Sequence, residues 1–290
     1  MLFIGLAIFM ALTLFAIAKQ MGSNGSKKSA FSFPKLDEQE YQLDLPVLTY
    51  HYIREVANPE QDKLGFSLSV TPADFREQMR YLVEHNYRTV TPLEVLAALR
   101  NKEPLPSKSV LLTFDDGYQN FYTAAFPVLK EYHLSATAFV VSGFVGRQPT
   151  RYLSWSEVRE LDASGLVTIA SHTIGHVNLV KSTDAFRQLT QSKKTLEREL
   201  QHPVTVFSYP FGTFDDRVAG LVEQAGYEIT FTTKIGTVMR YSNRFILPRV
   251  RVSGGLQLSQ FPGKLAPLPE KNSTGHTGES FVEPHPNAVK

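Results

Sequence analysis

The sequence predicts an α/β fold of parallel strands joined by helices, and within that class a closed or nearly closed (β/α) barrel. Short apolar runs alternate with helical patterns along residues 45–261, as expected for strands with crossover helices. Seven or eight strands are more than a small open sheet needs, so the barrel is favoured over an open doubly wound sheet. The strand candidates are residues 47–50, 88–90, 110–114, 136–141, 167–171, 204–209, 228–232 and 246–252.

Two helix starts lie between the first three of these strands. Thr71-Pro72 supplies an N-cap and a proline at the first helical position, after which Phe75, Met79 and Leu82 share one face. The segment Thr91-Pro92-Leu93-Glu94 repeats this start and adds a capping box. Both signals predict helices that pack an apolar face on the sheet.

The composition excludes several classes of protein. The chain has 290 residues, of which 42% are hydrophobic and 20% charged, and this is enough to bury one catalytic-sized core. The formal net charge is +2 and the basic residues are scattered, which argues against a nucleic-acid partner. The absence of cysteine excludes disulfides and a thiolate zinc site.

The chain begins with an uncharged apolar run at residues 2–18, so residues 1–18 are predicted to be a signal peptide or a membrane anchor. As a helix the run spans about 26 Å. Lys19, Lys27 and Lys28 follow it, and the positive-inside rule alone would place the rest of the chain in the cytoplasm. The site described below suits an external polymer, so we expect a protein that is secreted or anchored facing the cell exterior, with the membrane as a partner.

The ends of the chain differ in composition from its middle. Residues 19–44 are rich in Ser, Lys, Gly and acidic residues without periodicity, which predicts a linker. Residues 262–290 have no apolar face, which predicts a disordered tail. The catalytic domain is therefore expected at residues 45–261.

Two adjacent aspartates mark the end of one predicted strand. Asp115 and Asp116 follow the apolar residues 110–112, and Gly117 marks the exit from the strand. Successive strand side chains point to opposite faces, so both carboxylates serve one site only where the strand is ending. That position is the carboxyl-end rim, where active sites of parallel α/β folds lie. The alternative is a solvated loop with an aspartate helix cap.

Two histidines four positions apart follow another predicted strand. His172 and His176 come directly after residues 167–170, at a spacing common among ligands of divalent metals. Two histidine nitrogens and one aspartate oxygen leave an open position for water, which is the pattern of catalytic zinc. Thr173 stands where the zinc-protease helix motif has glutamate, so a metalloprotease is disfavoured. Either histidine alone is more simply a structural residue.

These motifs together resemble the NodB-type polysaccharide deacetylases, the carbohydrate esterase family that includes chitin, peptidoglycan and poly-N-acetylglucosamine deacetylases. The resemblance covers about residues 45–255 and rests on Thr-Phe-Asp-Asp-Gly at 113–117, Ser-His-Thr-Ile-Gly-His at 171–176 and Tyr-Pro-Phe-Gly at 209–212. It implies a distorted (β/α) barrel and a metal-dependent hydrolase that removes N-acetyl groups from an amino-sugar polysaccharide.

The resemblance also implies a role for each motif residue. Asp115 is expected to be the general base, and Asp116, His172 and His176 are expected to bind the metal. The backbone N–H of Phe211 is expected in the oxyanion hole. The metal is expected to be zinc, although such a ligand set also suits cobalt or nickel.

The chain departs from the family pattern at one arginine. Family members usually carry an arginine two residues before the proline of the third motif, where it pairs with the catalytic carboxylate, but this chain has Ser208 there. Arg249, at the last predicted strand, is the candidate replacement, with Arg251 behind it. A surface salt bridge is the competing interpretation of Arg249.

A second departure leaves the general acid unassigned. Many members carry a Leu-x-His motif that protonates the leaving amine, but the histidine after His202 is His276 in the predicted tail. His51, which follows the first predicted strand, is the candidate for part of that role. A core position for His51 is the alternative.

The segment Thr-Tyr-His-Tyr-Ile at 49–53 and the pattern over residues 68–100 resemble the secreted bacterial branch, which includes deacetylases of biofilm poly-N-acetylglucosamine. Peptidoglycan and chitin-like polymers are the other candidate substrates. Two rival functions remain open. One is a membrane-tethered glycan-binding module on a catalytically impaired deacetylase fold, and the other is a glycosidase that uses the two aspartates as its carboxylate pair.

Overall fold

Seven parallel strands close into a ring in this computed structural model, which describes residue 32 and residues 39–148 and 151–268. All eight predicted strands are present and lie in one parallel sheet, so the predicted barrel is confirmed. The described strands are β1 (Gln42–Asp44), β2 (Val47–Tyr50), β3 (Tyr52–Ile53), β4 (Ser69–Val70), β5 (Arg88–Thr89), β6 (Ser109–Phe114), β7 (Ala136–Val140), β8 (Val167–Ser171), β9 (Val206–Ser208), β10 (Ile229–Ile235), β11 (Val238–Arg240) and β12 (Leu247–Arg251).

The ring runs β2, β12, β10, β9, β8, β7 and β6, and it closes because β6 also pairs with β2. The barrel is distorted at two places. The short strand β5 pairs with the start of β6 at Ser109 and Val110, whereas β7 pairs with β6 from Thr113 onward. The register between β10 and β12 shifts between Phe231 and Ile235. Strand β10 extends to Ile235, three residues beyond its predicted end.

Helices cover the outside of the ring. Both predicted N-caps are present: the Thr71 hydroxyl accepts from the Asp74 N–H, and Thr91 and Glu94 form the capping box. The described helices are α1 (Lys63–Leu68), α2 (Pro72–Glu84), α3 (Pro92–Asn101), α4 (Phe126–Tyr132), α5 (Trp155–Ala163), α6 (Ala185–Leu200), α7 (Asp216–Gln224) and α8 (Pro262–Leu265). A π-helical turn at Phe121–Ala125 precedes α4.

Alternation along the strands separates two apolar layers. Leu48 and Leu112 pack outward against helix residues such as Phe75. Val47 and Leu111, one position away, belong to a second cluster with side chains from other ring strands, which therefore fills the barrel interior. The aromatic rings of Phe139 and Phe231 lie 5.8 Å apart in this cluster and form an apolar floor beneath the polar site.

The ordered domain extends beyond both predicted boundaries. Residues 42–44, predicted as linker, form β1 because they pair antiparallel with β11, which had no clear pattern of its own. Residues 262–268, predicted as disordered tail, include α8, and Leu265 is buried in the core. The Leu268 N–H donates to the Thr237 hydroxyl at 2.9 Å. These contacts join segments that are far apart in sequence, so composition alone did not reveal them.

The remaining boundary predictions lie outside the described residues. They are the signal or anchor at 1–18, the linker at 19–31 and 33–38, and the tail at 269–290. Among the helices that the structure describes, none is long and apolar enough to cross a membrane.

Candidate active site

Five of the predicted site residues meet at the carboxyl ends of ring strands. His51 follows β2, Asp115 and Asp116 follow β6, His172 follows β8, and Arg249 lies in β12. All five side chains are more than nine-tenths buried. Since parallel strands in a barrel end at the same rim, strand order brings together residues that the chain separates by up to about two hundred positions.

Arg249 and Asp115 form a two-pronged ion pair. Arg249 Nη1 donates to Asp115 Oδ1 at 2.8 Å, and Nη2 donates to Oδ2 at 2.7 Å. Both side chains are buried, and the pairing uses the planar fork of the guanidinium. The interpretation of Arg249 as a surface salt bridge is therefore wrong.

The other donors of Arg249 are also engaged. Nε donates to the Thr232 carbonyl at 2.8 Å, Nη1 to the Thr113 hydroxyl at 3.2 Å, and Nη2 to the Ser208 hydroxyl at 3.1 Å. Ser208 occupies the position where the family usually has its arginine. The small Ser208 side chain thus leaves room for the guanidinium of Arg249, which comes from another strand. The Ser208 hydroxyl accepts one of the hydrogen bonds of that guanidinium.

The ion pair keeps Asp115 ionised. Burial by itself would raise the pKa of Asp115, but the Arg249 guanidinium, His172 and His51 together outweigh burial and hold this pKa below its usual range. Asp115 is therefore an ionised carboxylate that Arg249 orients and whose negative charge the Arg249 guanidinium balances.

Asp116, His172 and His176 form a compact triad. One possible ligand atom from each lies within 4.8 Å of the others. Asp116 Oδ1 is 3.1 Å from His176 Nε2 and 3.5 Å from His172 Nε2. All three residues are buried. The two motifs predicted to share a metal thus face each other across the barrel mouth.

The chemistry of the triad fits a cation. His172 Nδ1 lies 2.8 Å from the Ser208 carbonyl oxygen, which only accepts, so Nδ1 carries a proton and Nε2 is turned toward Asp116. Asp116 Oδ1 is buried and accepts no hydrogen bond of good geometry from the described residues. Burial would raise the pKa of Asp116, but His176, His172 and His51 together outweigh burial and hold this pKa well below its usual range. Two imidazole nitrogens and a carboxylate oxygen that converge in a buried site suit a divalent metal between them.

Several site residues adopt left-handed backbone conformations that side chains rarely take. The φ angles are 76° at Asp116, 67° at Thr173, 50° at His176 and 60° at Phe211. For Thr173, a β-branched residue, this conformation is strained. Such conformations persist only where the surroundings impose them, so the loops that carry the site must be held from outside.

Hydrogen bonds hold the loop between His172 and His176. The Thr173 carbonyl accepts from the Ser142 N–H at 3.1 Å and from the Ser192 hydroxyl at 3.0 Å. The Gly143 N–H donates to the Ile174 carbonyl at 2.9 Å, and a Cβ at Gly143 would lie 2.4 Å from that oxygen. A neighbouring loop and helix α6 therefore hold the two histidines in place.

His51 and Phe211 flank the triad from opposite sides. His51 is buried and lies close enough to lower the pKa of both Asp115 and Asp116. The ring of Phe211 packs edge-on against His176, with ring centroids 4.6 Å apart. Phe211 lies in a short 3-10 turn at Pro210–Gly212. The oxyanion role of its N–H stays a prediction.

Three tyrosines outside the predicted set border Asp116. The rings of Tyr52 and Tyr118 stack with centroids 3.7 Å apart, and Tyr152 stacks on Tyr118 at 5.5 Å. Burial and the Asp116 charge raise the pKa of Tyr118, so its phenol stays protonated. Tyr52 and Tyr118 directly follow His51 and Gly117 in the chain, so their positions beside the predicted site residues could have identified them from the sequence. No such neighbouring motif marks Tyr152.

Comparison with known proteins is consistent with this geometry. The family model described as polysaccharide deacetylase matches residues 102–230. YxkH of Bacillus subtilis, whose name assigns it to the polysaccharide deacetylases, is 34% identical over 77% of this chain and 76% of its own length.

Two further relatives resemble the chain over most of its length. The poly-beta-1,6-N-acetyl-D-glucosamine N-deacetylase of Staphylococcus aureus is 28% identical over 71% of this chain and 78% of its own. The structure of the Streptococcus pyogenes deacetylase PplD in complex with acetate superposes with a TM-score of 0.71, at 26% identity, over 78% of this chain and 99% of PplD.

Proposed function

This chain belongs to the polysaccharide deacetylase family, and on that premise we propose that it is a metal-dependent hydrolase that removes N-acetyl groups from an amino-sugar polysaccharide. The family's enzymes hydrolyse linear amides.

Asp116, His172 and His176 would hold the metal. Each offers one ligand atom, and the three atoms lie within 4.8 Å of one another. A divalent cation in such a site supplies Lewis acidity to an acetamide carbonyl and to a water molecule. Zinc is the expected ion, and cobalt or nickel also suits two imidazoles and a carboxylate.

Asp115 accepts the proton of the attacking water. It lies next to a ligand in the chain, yet both of its oxygens face Arg249 rather than the triad. The lowered pKa keeps it deprotonated, as a base must be before reaction. Arg249 fixes the plane of the carboxylate, so the carboxylate does not rotate toward the metal.

His51 and Phe211 complete the reaction. The tetrahedral intermediate needs a hydrogen-bond donor on its oxyanion, which the Phe211 N–H supplies. The departing amine needs a proton, which His51 supplies from the β2 side of the mouth. Acetate and a free amino sugar are the products. PplD, the structural relative named above, is recorded with acetate bound.

The observation that carries this function is the buried ion pair between Arg249 and Asp115 beside the triad. A glycan-binding module has no need for a carboxylate that binds no metal and is oriented by a buried arginine, because that arrangement is costly to bury. The glycosidase alternative is also disfavoured, since Asp115 faces Arg249 while Asp116 faces two histidines. The two carboxylates therefore do not form a pair across a sugar bond.

An external polymer is the proposed substrate class. The staphylococcal relative is named for poly-beta-1,6-N-acetyl-D-glucosamine, and peptidoglycan and chitin-like chains are the other candidates. The apolar run at residues 2–18 supports a location outside the cytoplasmic membrane, anchored or secreted.

Acetate release from the full chain tests the proposal. We expect acetate from at least one of three polymers: poly-β-1,6-N-acetylglucosamine, peptidoglycan or chitin oligomers. Treatment with a chelator should abolish release, and zinc, cobalt or nickel should restore it. If the metal-loaded protein releases no acetate but binds one of these polymers, the glycan-binding module is the correct function.

A further inference from the structure

A cavity of about 490 Å³ lies beside the proposed catalytic groups. It is lined by His51 and Arg249, and by residues on the ends of β2, β10 and β12. The metal triad lies on the opposite side of the mouth, after β6 and β8. A polymer whose acetamide reaches the triad therefore has room for another sugar unit on the β2 and β12 side. Ligand pockets of this size hold small molecules of about a monosaccharide or larger.

The cavity carries positive charge. Besides Arg249, whose charge Asp115 balances, the half-buried side chains of Arg251 and Lys264 line it. Among the lining residues that the structure describes, none is acidic. A low-dielectric cleft with one sign of charge attracts ligands of the opposite sign. The chain as a whole has a formal charge of only +2, so the presence of two further basic side chains in one cavity does not reflect a generally basic composition.

Hydroxyl groups add hydrogen-bonding capacity. The Thr49 hydroxyl lines the cavity, is buried, and has no hydrogen-bond partner among the described residues. Buried polar atoms are nearly always paired, so an unpaired one beside a cavity indicates a ligand or water. Ser67 also lines the cavity, and its hydroxyl accepts from Arg251 Nη2 at the long distance of 3.4 Å. That contact is weak enough to give way to a stronger acceptor.

We propose that this cavity is a subsite for a carboxylate-bearing sugar unit next to the N-acetylated unit that is hydrolysed. The inference rests on the proposed deacetylase function and adds a preference for an acidic glycan. Arg251 and Lys264 supply charge-assisted donors to the carboxylate, and Thr49 supplies a neutral one. The cavity shares His51 and Arg249 with the catalytic site, so a unit bound there lies close to the reacting sugar, as a neighbouring unit of the same polymer would.

The test compares substrates that differ only in charge. Hyaluronan oligosaccharides alternate N-acetylglucosamine with a uronic acid, and reduction of their carboxyl groups gives a neutral polymer with the same linkages. Peptidoglycan strands, whose acid is a lactyl ether, and their carboxyl-reduced form make a second pair. We expect kcat/KM for acetate release to be about tenfold higher on the acidic member of at least one pair, the effect of one charge-assisted hydrogen bond.

Two variants and one control locate the effect. Arg251→Gln and Lys264→Gln should each lower the ratio of kcat/KM between acidic and reduced substrate, chiefly through KM, and the double variant should bring the ratio near one. Lys130→Gln, on the exposed side of α4, should leave that ratio unchanged. Rising salt should lower the wild-type ratio and have little effect on that of the double variant. Circular dichroism shows whether each variant folds.

The outcomes separate this inference from the proposed function. Acetate release that is equal on acidic and reduced substrates, with ratios unaltered in both variants, overturns the subsite and leaves the deacetylase intact. No release from any substrate by metal-loaded protein contradicts the deacetylase itself. If the ratio changes in Lys130→Gln as well, general surface charge and not the cavity selects the substrate.

Discussion

Arg249 reaches across 134 positions of the chain to bind both carboxylate oxygens of Asp115. Its guanidinium also lies over the ring of Phe139, 5.6 Å from the ring centroid, so the pair rests on the apolar floor of the barrel. The arrangement fixes the Asp115 carboxylate beside Asp116, His172 and His176 and turns both of its oxygens toward the guanidinium. Five predictions follow from these separate roles of Asp115 and Asp116 and from the way the loops are held.

Substitution of the two adjacent aspartates should affect different properties, metal binding for Asp116 and turnover for Asp115. Asp116→Ala should lose metal, because it removes one of three ligand groups. Asp115→Asn should retain nearly stoichiometric metal and lose turnover by roughly 10²–10⁴-fold, because an amide does not accept the water proton. Elemental analysis and acetate release on the same preparations check both. Equal loss of metal in the two variants would mean that the pair binds as a unit.

Arg249→Met should move the pH dependence of catalysis. Arg249 lowers the pKa of Asp115, so its removal raises that pKa, and the base becomes protonated at a higher pH. The acid limb of the profile of kcat/KM against pH should therefore shift to higher pH. Asp115→Glu, which keeps the arginine, is the comparison. An unshifted acid limb in Arg249→Met would show that the limb belongs to another group.

The same variant should destabilise the fold by about 3–5 kcal/mol, since it leaves a buried carboxylate without its partner. Urea unfolding measures the change. In the double variant Asp115→Asn, Arg249→Met the cost should be smaller, because no uncompensated charge remains. A double variant as unstable as the sum of the single ones would indicate that the two side chains act independently.

His51→Gln should affect substrates according to their leaving group. On an N-acetylated sugar the departing amine needs a proton, so kcat should fall by roughly 10²–10⁴-fold. On p-nitrophenyl acetate the leaving group departs as a stable anion, so the loss should be much smaller. Metal content should stay close to that of wild type. Equal losses on both substrates would assign His51 a structural role.

Ser192→Ala should weaken metal binding without touching a ligand. The Ser192 hydroxyl donates to the Thr173 carbonyl and accepts from Ser171, so it holds the strained loop that carries both histidines. Loss of an outer hydrogen bond typically costs 10-fold to 100-fold in metal affinity, and we expect about 10-fold here. Zinc titration against a chelating dye measures it. Thr190→Ala, on the exposed side of the same helix, is the control and should bind zinc like wild type.

The sequence by itself determined the eight strands of the large parallel sheet, the starts of two helices and the two motifs of the triad. Strand candidates were readable because a buried parallel strand is a short apolar run, and the caps of α2 and α3 were readable because they join residues three apart. Asp115, Asp116, His172 and His176 followed from their positions at strand ends. All of these signals depend on residues that are close together in the sequence, so they can be recognised without a structure.

Only the tertiary structure decided which residues meet. It placed Arg249 on Asp115, with Ser208 accepting one of its bonds, and it placed Ser192 beneath the Thr173 carbonyl. It also paired β1 with β11 and brought the segment after residue 261 into the core. The physical reason is that these contacts depend on strand order, loop conformation and the closure of the ring. A side chain's type and sequence spacing carry no information about those distances, whereas they largely determine whether a segment is a strand or a helix.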